Sequence, residues 1–260
     1  MIKIGPSGLG SVKQAEKFIE KLQKEGLIAC EIPFTYGIYI KEESDRKNIG
    51  KKAKSAGISL SIHAPYWINL NAAEEEKRKR SKERILNSCR AGTDLGATHV
   101  VFHPGYYGDA TKEDTYNTIR KEIDDMENTR KKEGLIPVLA PETTGKVNVF
   151  GSIEEIAALV KDTGCNFCVD FAHILAREKH VDYNKLNRLF PHKHWHCHYS
   201  GIDYGEKGEK KHKRIPEKLW KTLFESLIKY VHDRNFTVIC ESPEPFDDAL
   251  KGHKALKSWH

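Results

Sequence analysis

Histidine and carboxylate side chains recur in this sequence at the ends of short apolar segments. His63 closes the segment SLSIH, His103 follows HVVF, and Glu142 follows VLAP. Three later segments end on the same two chemical types, at Asp170, His198 and Glu241. Imidazole and carboxylate groups are the ligands that zinc, manganese and iron take in proteins. The pattern predicts a metal centre, provided that the fold brings these segment ends together.

The alternation within the segments predicts that the ligand-type residues face the same way. In SLSIH, Ser61 and His63 lie on one face of an extended strand, and Leu60 and Ile62 lie on the other. The segments HVVFH and TVICE alternate in the same manner. Several carboxylates at one place would repel each other unless cations lay between them. Because one zinc ion takes three or four protein ligands, we expect more than one ion.

The segment CVDFAHILA carries a carboxylate and an imidazole three residues apart. Asp170 shares the inward parity of Cys168, whereas His173 has the opposite parity. His173 must therefore lie beyond the strand, on a loop or at the start of a helix. We expect the two residues to serve different ions, with Asp170 at a central pair of ions and His173 at an outer position.

Strand-like and helix-like segments alternate along the whole chain and could position these residues. Helical stretches such as SVKQAEKFIEKLQKEG, which Gly26 should end, separate the strands. Eight such units predict an α/β fold, a (β/α)8 TIM barrel with a metal cluster at its C-terminal face, formed as a single domain of residues 1–260. A doubly wound open sheet fits less well, because GPSGLG is a poor phosphate-binding loop. The predicted strands are MIKIGPSG, LIACEIPF, ISLSIHAP, THVVFHPG, IPVLAPETT, NFCVDFAH, HWHCHYSG and FTVICESP.

Composition limits the classes of partner. The chain has 260 residues, 43 Lys and Arg, and a formal net charge of +6, a basic excess compatible with a polyanion such as nucleic acid. No apolar stretch reaches membrane-spanning length and no segment resembles a signal peptide, so we expect no membrane partner and a cytoplasmic location. The six cysteines are then expected to be reduced.

Six segments together resemble the endonuclease IV family (AP endonuclease family 2), which comprises apurinic/apyrimidinic DNA-repair endonucleases. They are SIHAPYWINL, VVFHPGYYG, PETTGK, VDFAHILA, HCHYSGIDYGEKGEKKHK and ICESPEP, in that order. The resemblance implies a zinc-dependent phosphodiester hydrolase that cuts double-stranded DNA 5′ to abasic sites and leaves a 3′-hydroxyl. It implies two or three Zn²⁺ ions, with Mn²⁺ or Fe²⁺ as alternatives in some sites. We expect such a barrel to act as a monomer.

The resemblance also assigns roles to individual residues. One ion would be held by His63, His103 and Glu142, and a second by Glu142, Asp170, His198 and Glu241. His173 and His212 would belong to a third. Glu142, which bridges two ions, and Glu241, which could orient the attacking water, would be the catalytic residues.

Two positions depart from the family pattern. The family has an aspartate two residues before the histidine that matches His212, but this chain has Lys210 there. A protonated lysine cannot bind zinc, so either Glu209 or a water molecule would have to replace the missing ligand. Near Tyr36 the family often has an arginine that helps to hold DNA, and this chain lacks it.

The remaining expected contacts are with DNA. Tyr66 stands three residues after His63, where the family places an aromatic wedge that enters the duplex near the lesion, and the alternative is that it packs beneath its loop. Basic residues on loops at the same face could bind phosphates. These residues are Lys146, Lys207, Lys211 and Lys213, together with Lys210 and Arg214.

Two other functions stay open at this point. A sugar isomerase on a related barrel would use a smaller, carboxylate-rich metal site, but it would leave His63, His103, His173 and His212 without an obvious task. A catalytically weakened protein that only binds abasic sites is the other alternative, and Lys210 is its sole motivation.

Overall fold

The computed structural model describes residues 1–258 and contains the predicted barrel of parallel strands. Each barrel strand is three to six residues long and is followed by at least one helix. The barrel strands are β1 (Ile2–Pro6), β2 (Ala29–Pro33), β3 (Ser59–His63), β4 (His99–Phe102), β5 (Val138–Pro141), β6 (Cys168–Asp170), β7 (His194–Tyr199) and β10 (Asn235–Cys240).

The barrel consists of two four-stranded parallel sheets that meet at two seams. One sheet has the order β1-β10-β7-β6, and the other has the order β2-β3-β4-β5. A parallel bridge between Ser7 and Glu31 joins the β1 edge to β2, and a parallel bridge between Glu142 and Cys168 joins the β5 edge to β6. These bridges close the ring, so the carboxyl ends of all eight strands meet at one face.

Amphipathic helices form the outer layer. Gly26, with φ of 75°, caps the first helix in the left-handed conformation, as predicted. Ser152 and Glu155 form a reciprocal capping box at the start of the helix Ile153–Thr163. The helices are α1 (Ala15–Glu25), α2 (Glu43–Ser55), α3 (Glu75–Leu95), α4 (Lys112–Lys132), α5 (Ile153–Thr163), α6 (Phe171–Glu178), α7 (Tyr183–Leu189), α8 (Glu217–Tyr230) and α9 (Pro245–Lys257), with a 3-10 turn at Val12–Gln14.

The apolar core lies mainly between the barrel and the helices. Its largest fully buried side chains include Trp195, Trp220 and Phe34. Inside the barrel, Val101, Ala140 and Cys168 form a separate small apolar cluster. Buried polar side chains also line this interior, which agrees with the predicted alternation of small or polar inward residues and bulky outward ones.

A hairpin replaces the loop that we expected after β7. It consists of β8 (Gly201–Gly205) and β9 (Gly208–Lys213), which pair antiparallel. The pairing joins Asp203 to Lys211 but Tyr204 to Glu209, so Lys210 is an extra residue in β9, which forms a β-bulge. A bridge between Lys146 and Gly208 anchors the hairpin to the loop after β5. Lys207 lies in its turn, and Lys211 and Lys213 lie on its second strand rather than in a loop.

All six cysteines are buried and free of disulfides. Among the helices of residues 1–258, none is both long enough and apolar enough to cross a membrane.

Candidate metal centre

Glu142 lies at the middle of the ligand-type residues. It directly follows β5 and is completely buried. Its Oε2 atom lies 3.3 Å from His63 Nε2 and 3.1 Å from His103 Nε2. Its Oε1 atom lies 3.1 Å from His198 Nδ1 and 3.3 Å from His173 Nδ1. Oε2 thus faces His63 and His103 while Oε1 faces His198, which is the arrangement that a carboxylate bridging two cations requires. His173 Nδ1 is engaged elsewhere, because it donates to the carbonyl oxygen of Thr143.

The ligand-type residues form overlapping groups at the carboxyl ends of the strands. Within each group, one potential ligand atom per residue lies within 4.8 Å of every other. The first two groups have the same members as the ligand sets that the resemblance implied, but metal binding by them stays a prediction. These groups are His63, His103 and Glu142; Glu142, Asp170, His198 and Glu241; and Asp170, His173 and His212, and a fourth consists of Cys168, His196 and His198.

The rings of His173 and His212 are oriented for a cation between them. His173 Nδ1 donates to the carbonyl oxygen of Thr143 at 3.0 Å, and His212 Nδ1 donates to that of Glu241 at 2.9 Å. Because both Nδ1 atoms carry the proton, each neutral ring presents a lone pair on Nε2. The two Nε2 atoms lie only 3.3 Å apart. A shared proton or a metal ion relieves the repulsion between these lone pairs, so the pair fits a divalent cation.

The bulge in β9 places a carboxylate beside this pair. Glu209 Oε2 lies 3.5 Å from His173 Nε2, and Glu209 Oε1 lies 3.6 Å from His212 Nε2. Strand alternation alone would put Glu209 and His212 on opposite faces, but the extra residue Lys210 returns Glu209 to the same face. The Lys210 side chain lies along Gly205 instead. Of the two alternatives for the missing ligand, the structure therefore favours Glu209 over water.

Asp170 stands between two of the groups. Its Oδ1 atom accepts a hydrogen bond from the backbone N–H of His173 at 2.7 Å, which caps α6. Its Oδ2 atom is buried without a hydrogen-bond partner and lies 3.5 Å from His173 Nδ1. The parity argument correctly placed His173 beyond the strand, in the first turn of α6. The helix turns His173 back toward Asp170, which belongs both to the group of His173 and to the group of Glu142, so the assignment of the two residues to different ions stays a prediction.

Charge coupling within the centre shifts its pKa values strongly. Burial alone would raise the pKa of Glu142, but the neighbouring His198 and His103 hold it well below its usual value. Burial alone would lower the pKa of His63, but Glu142 and the other carboxylates raise it to about 9. Neighbouring carboxylates also raise the pKa values of His173 and His198, so these two imidazoles and that of His63 hold extra protons in the metal-free cluster at neutral pH. A metal ion must displace such protons, so its binding is expected to depend on pH.

One buried carboxylate below this layer was missed in the sequence. Glu31 lies inside the barrel, with Oε1 2.9 Å from His198 Nε2 and Oε2 3.0 Å from His196 Nε2. The signal was present in ACEIP, where a charged residue interrupts an otherwise apolar buried strand. Because Glu31 lies in the middle of β2, the pattern of ligand-type residues at strand ends does not include it.

The rim of the centre carries exposed aromatic and basic side chains. Tyr66 is 61% exposed, and its ring centroid lies 5.9 Å from that of His63. Its backbone N–H donates to the carbonyl oxygen of Thr35 at 3.2 Å, which ties the loops after β2 and β3 together. Exposure of the Tyr66 ring agrees with a contact surface rather than with packing beneath a loop. Trp67 and Tyr36 are exposed nearby.

The predicted phosphate-binding lysines are all exposed, but they differ in their surroundings. Lys146 and Lys207 flank the junction between the hairpin and the loop after β5. Lys213 lies 3.6 Å from Asp203 across the hairpin, whereas Lys211 has no such ion pair among residues 1–258. Arg214 is engaged within the protein, because its guanidinium contacts the buried carboxylate of Asp248 at 3.0 Å.

Comparison with known sequences assigns the family. The sequence model of the Xylose isomerase-like TIM barrel family matches residues 19–259. An uncharacterized protein of Methanocaldococcus jannaschii, MJ0133, is 37% identical over 267 residues, which cover 96% of this chain and 95% of that protein. A probable endonuclease 4 of Mycobacterium ulcerans is 30% identical over 128 residues, which cover 47% of this chain and 48% of that protein.

Solved structures with the same fold include proteins of two different activities. Endonuclease IV from Thermus thermophilus superimposes with a TM-score of 0.70 at 22% identity, covering 99% of both chains. A D-psicose 3-epimerase superimposes with a TM-score of 0.67 at 18% identity, covering 94% of this chain and 91% of the other. Identities this low support the barrel fold and leave the activity to be argued from the site.

Proposed function

Because this chain belongs to the Xylose isomerase-like TIM barrel family, whose fold serves both nucleases and sugar epimerases, we propose that it is the nuclease type. The proposed activity is that of a metal-dependent DNA-repair endonuclease of the endonuclease IV kind, hydrolysing the phosphodiester 5′ to an abasic site and leaving a 3′-hydroxyl. The partial match to a probable endonuclease 4 supports this choice. One chain carries every candidate ligand, so we propose that it acts as a monomer.

The observation that carries the proposal is the size of the histidine-rich centre. The group of Glu142, Asp170, His198 and Glu241 could hold one divalent ion by itself. One such ion is enough for an enzyme that polarises a sugar carbonyl. The facing pair His173 and His212 extends the centre well beyond this need. Several cations side by side suit a substrate that gains negative charge on several oxygens, as a phosphodiester does during hydrolysis.

The chain's own residues define how the centre could work. Zn²⁺, or Mn²⁺ or Fe²⁺ in some positions, would supply the Lewis acid that polarises a phosphoryl oxygen and acidifies a water molecule. Glu142 would hold two adjacent ions together through its separate oxygens. Asp170 and Glu209 would add the negative charge that keeps a cluster of divalent ions neutral enough to be stable.

Glu241 is the candidate for orienting the attacking water. It directly follows β10, its side chain is 16% exposed, and its Oε2 atom lies 3.4 Å from His198 Nδ1. Burial would raise its pKa, but His198 lowers it below the usual value, so the carboxylate stays ionised and can accept a hydrogen bond from a water molecule. Its backbone carbonyl also positions His212, which couples the orienting group to the third candidate ion site.

The rim is suited to hold a distorted duplex. The exposed Tyr66 could enter the base stack beside an abasic nucleotide, where unstacking costs least. Lys146, Lys207, Lys211 and Lys213 would follow the phosphate backbone. The aromatic Tyr36, which stands near the place of the family's arginine, would replace a charged contact by stacking.

A nicking assay tests the proposal. The purified chain is incubated with a duplex that carries one tetrahydrofuran abasic analogue, with Zn²⁺ or Mn²⁺ and in parallel with a chelator. We expect one cut immediately 5′ to the analogue, a 3′-hydroxyl that a polymerase can extend, and no cut in the chelator. An undamaged duplex of the same sequence is the substrate control.

Variants and a second assay separate the alternatives. Glu142→Gln should abolish nicking, whereas His99→Phe, which changes a buried ring in the barrel outside the candidate ligand groups, should not. Conversion of a ketose to its epimer without nicking would instead establish the sugar epimerase. Tight binding of abasic DNA without any nicking would establish the catalytically weakened binding protein. That alternative rested only on Lys210 in place of a metal ligand, and the carboxylate of Glu209 lies beside His173 and His212 instead.

A further inference from the structure

Three histidines of the metal centre are oriented by backbone carbonyl groups. His63 Nδ1 donates to the carbonyl oxygen of Ala64 at 2.8 Å. His173 and His212 donate in the same way, to Thr143 and Glu241. In each case the Nδ1 proton is held by the protein and Nε2 faces the centre. Such contacts are known to fix the ring and the tautomer of a metal-binding histidine.

His198 is turned the other way and has a different partner. It lies on β7 inside the barrel and is completely buried. Its Nδ1 atom faces the centre, 3.1 Å from Glu142 Oε1 and 3.4 Å from Glu241 Oε2. Its Nε2 atom points down the barrel and lies 2.9 Å from Glu31 Oε1. The two buried atoms face each other as an ion pair without hydrogen-bond geometry, and neither has a hydrogen-bond partner within residues 1–258.

Glu31 is itself held firmly in place. Ser61 Oγ donates to its Oε2 atom at 2.8 Å, and His196 Nε2 donates to the same oxygen at 3.0 Å. All three side chains are buried inside the barrel. The other oxygen, Oε1, is left to face His198. An isolated carboxylate would be costly at such a place, so its presence calls for a specific use.

We propose that Glu31 is a positioning residue that makes Nδ1 of His198 the metal-binding nitrogen. A carboxylate oxygen 2.9 Å from Nε2 repels a lone pair there and therefore keeps the proton on Nε2. Glu142 and Glu241 would disfavour a lone pair on Nδ1 in the same way unless a cation lay between. With an ion bound among these residues, the one remaining ring proton would stay on Nε2 beside Glu31, and Nδ1 would be the ligand atom. The negative charge also makes the imidazole a stronger ligand. Glu31 thus does for His198, through its charge, what hydrogen bonds to backbone carbonyls do for His63, His173 and His212.

The test uses Zn²⁺ alone as the probe, so it needs no nuclease activity. Zn²⁺ affinity and stoichiometry are measured by competition with a chromophoric chelator for the full chain and for Glu31→Gln, which keeps the shape and removes the charge. We expect the variant to bind one ion about 10–100-fold more weakly. Thr237→Val is the matched control, because it removes a buried polar contact with His194 that involves neither Glu31 nor His198, and it should leave the Zn²⁺ affinity unchanged.

A double-mutant comparison separates positioning from a general effect on folding. If Glu31 acts through His198, then Glu31→Gln should cause no further loss of affinity in the His198→Asn background. An equal loss in both backgrounds, or unchanged affinity of Glu31→Gln, would overturn the proposal. A second measurement needs no variant of Glu31: in the Zn²⁺-loaded protein, nitrogen NMR of the His198 ring should find the proton on Nε2, and a proton on Nδ1 would refute it.

This inference rests on the metal-binding part of the proposed function and not on nicking. If the chain binds Zn²⁺ as described but does not cut abasic DNA, the nuclease proposal fails and the role of Glu31 stands. If the chain cuts abasic DNA and Glu31→Gln binds Zn²⁺ normally, the role of Glu31 fails alone.

Discussion

Replacing Glu209 by glutamine should remove the third candidate ion from the centre. The Glu209 oxygens lie 3.5 Å and 3.6 Å from the Nε2 atoms of His173 and His212. A carboxylate and one positive charge at 3.5 Å attract each other by about 5 kcal/mol at an effective dielectric constant of about 20. The Glu209 side chain is 21% exposed, so hydration will cancel part of this energy. We expect the binding free energy of the third ion to fall by about 2 kcal/mol, which corresponds to about 30-fold lower affinity.

The assay is metal analysis after dialysis against a series of fixed free Zn²⁺ concentrations. The unmodified chain should retain about three ions, and Glu209→Gln about two, at concentrations that saturate the other two sites. Lys210→Ala is the matched control, since the Lys210 side chain lies along Gly205 and away from the histidine pair. The assignment of Glu209 is refuted if the Glu209→Gln variant keeps three ions with unchanged affinity. It is also refuted if only two ions bind to the unmodified chain.

Three further outcomes follow from the same geometry. The pKa of His63 is raised from an ordinary 6.5 to about 9, which adds stability below pH 6.5 that is lost as the pH rises through about 9. The urea midpoint of the metal-free protein should therefore fall over this pH range. The Zn²⁺-loaded protein, in which the ion replaces the proton between His63 and Glu142, should not show this fall. Lys211→Ala and Lys213→Ala should each reduce the slope of log affinity for abasic duplex against log salt by about 0.9, and unchanged slopes would remove these lysines from the interface. Gly145→Ala should lower the free energy of unfolding by about 1–3 kcal/mol and also weaken binding of the third ion, because its Cβ atom would lie 2.7 Å from the Cβ atom of Glu209. Normal Zn²⁺ binding by this variant would argue against the tight fit.

The barrel and the main part of the centre were predictable because both depend on short-range periodicity. Alternation by two fixes the face of each strand residue, and the barrel brings strand ends together whatever the loops do. Those two rules suffice to place His63, Glu142 and His198 side by side. They also place His173 beyond its strand. They do not reveal that a helix cap turns His173 back onto Asp170, since a cap depends on side-chain geometry and not on spacing.

The hairpin and its bulge could not be predicted by the same means. The segment GIDYGEKGEKKHK has no apolar alternation that would fix its register, so strand pairing there is decided by contacts with the rest of the protein. One extra residue in the pairing exchanges the faces of Lys210 and Glu209. The role of Glu31 could not be predicted for a different reason. A charged residue in the middle of a buried strand can be assigned a role only when its partners on other strands, here Ser61, His196 and His198, are known.

The two seams of the barrel give the centre a mechanical role as well. Glu31 and Glu142 are themselves the residues whose single bridges join the two four-stranded halves. The candidate ligands His63, His103 and Glu142 come from one half, whereas Asp170, His198 and Glu241 come from the other. An ion held by Glu142, Asp170, His198 and Glu241 would therefore link the two halves across the seam between β5 and β6. Backbone hydrogen bonds already cross both seams, from Gly8 N–H to the Glu31 carbonyl and from Thr143 N–H to the Cys168 carbonyl, so bound ions would strengthen a barrel that is already closed.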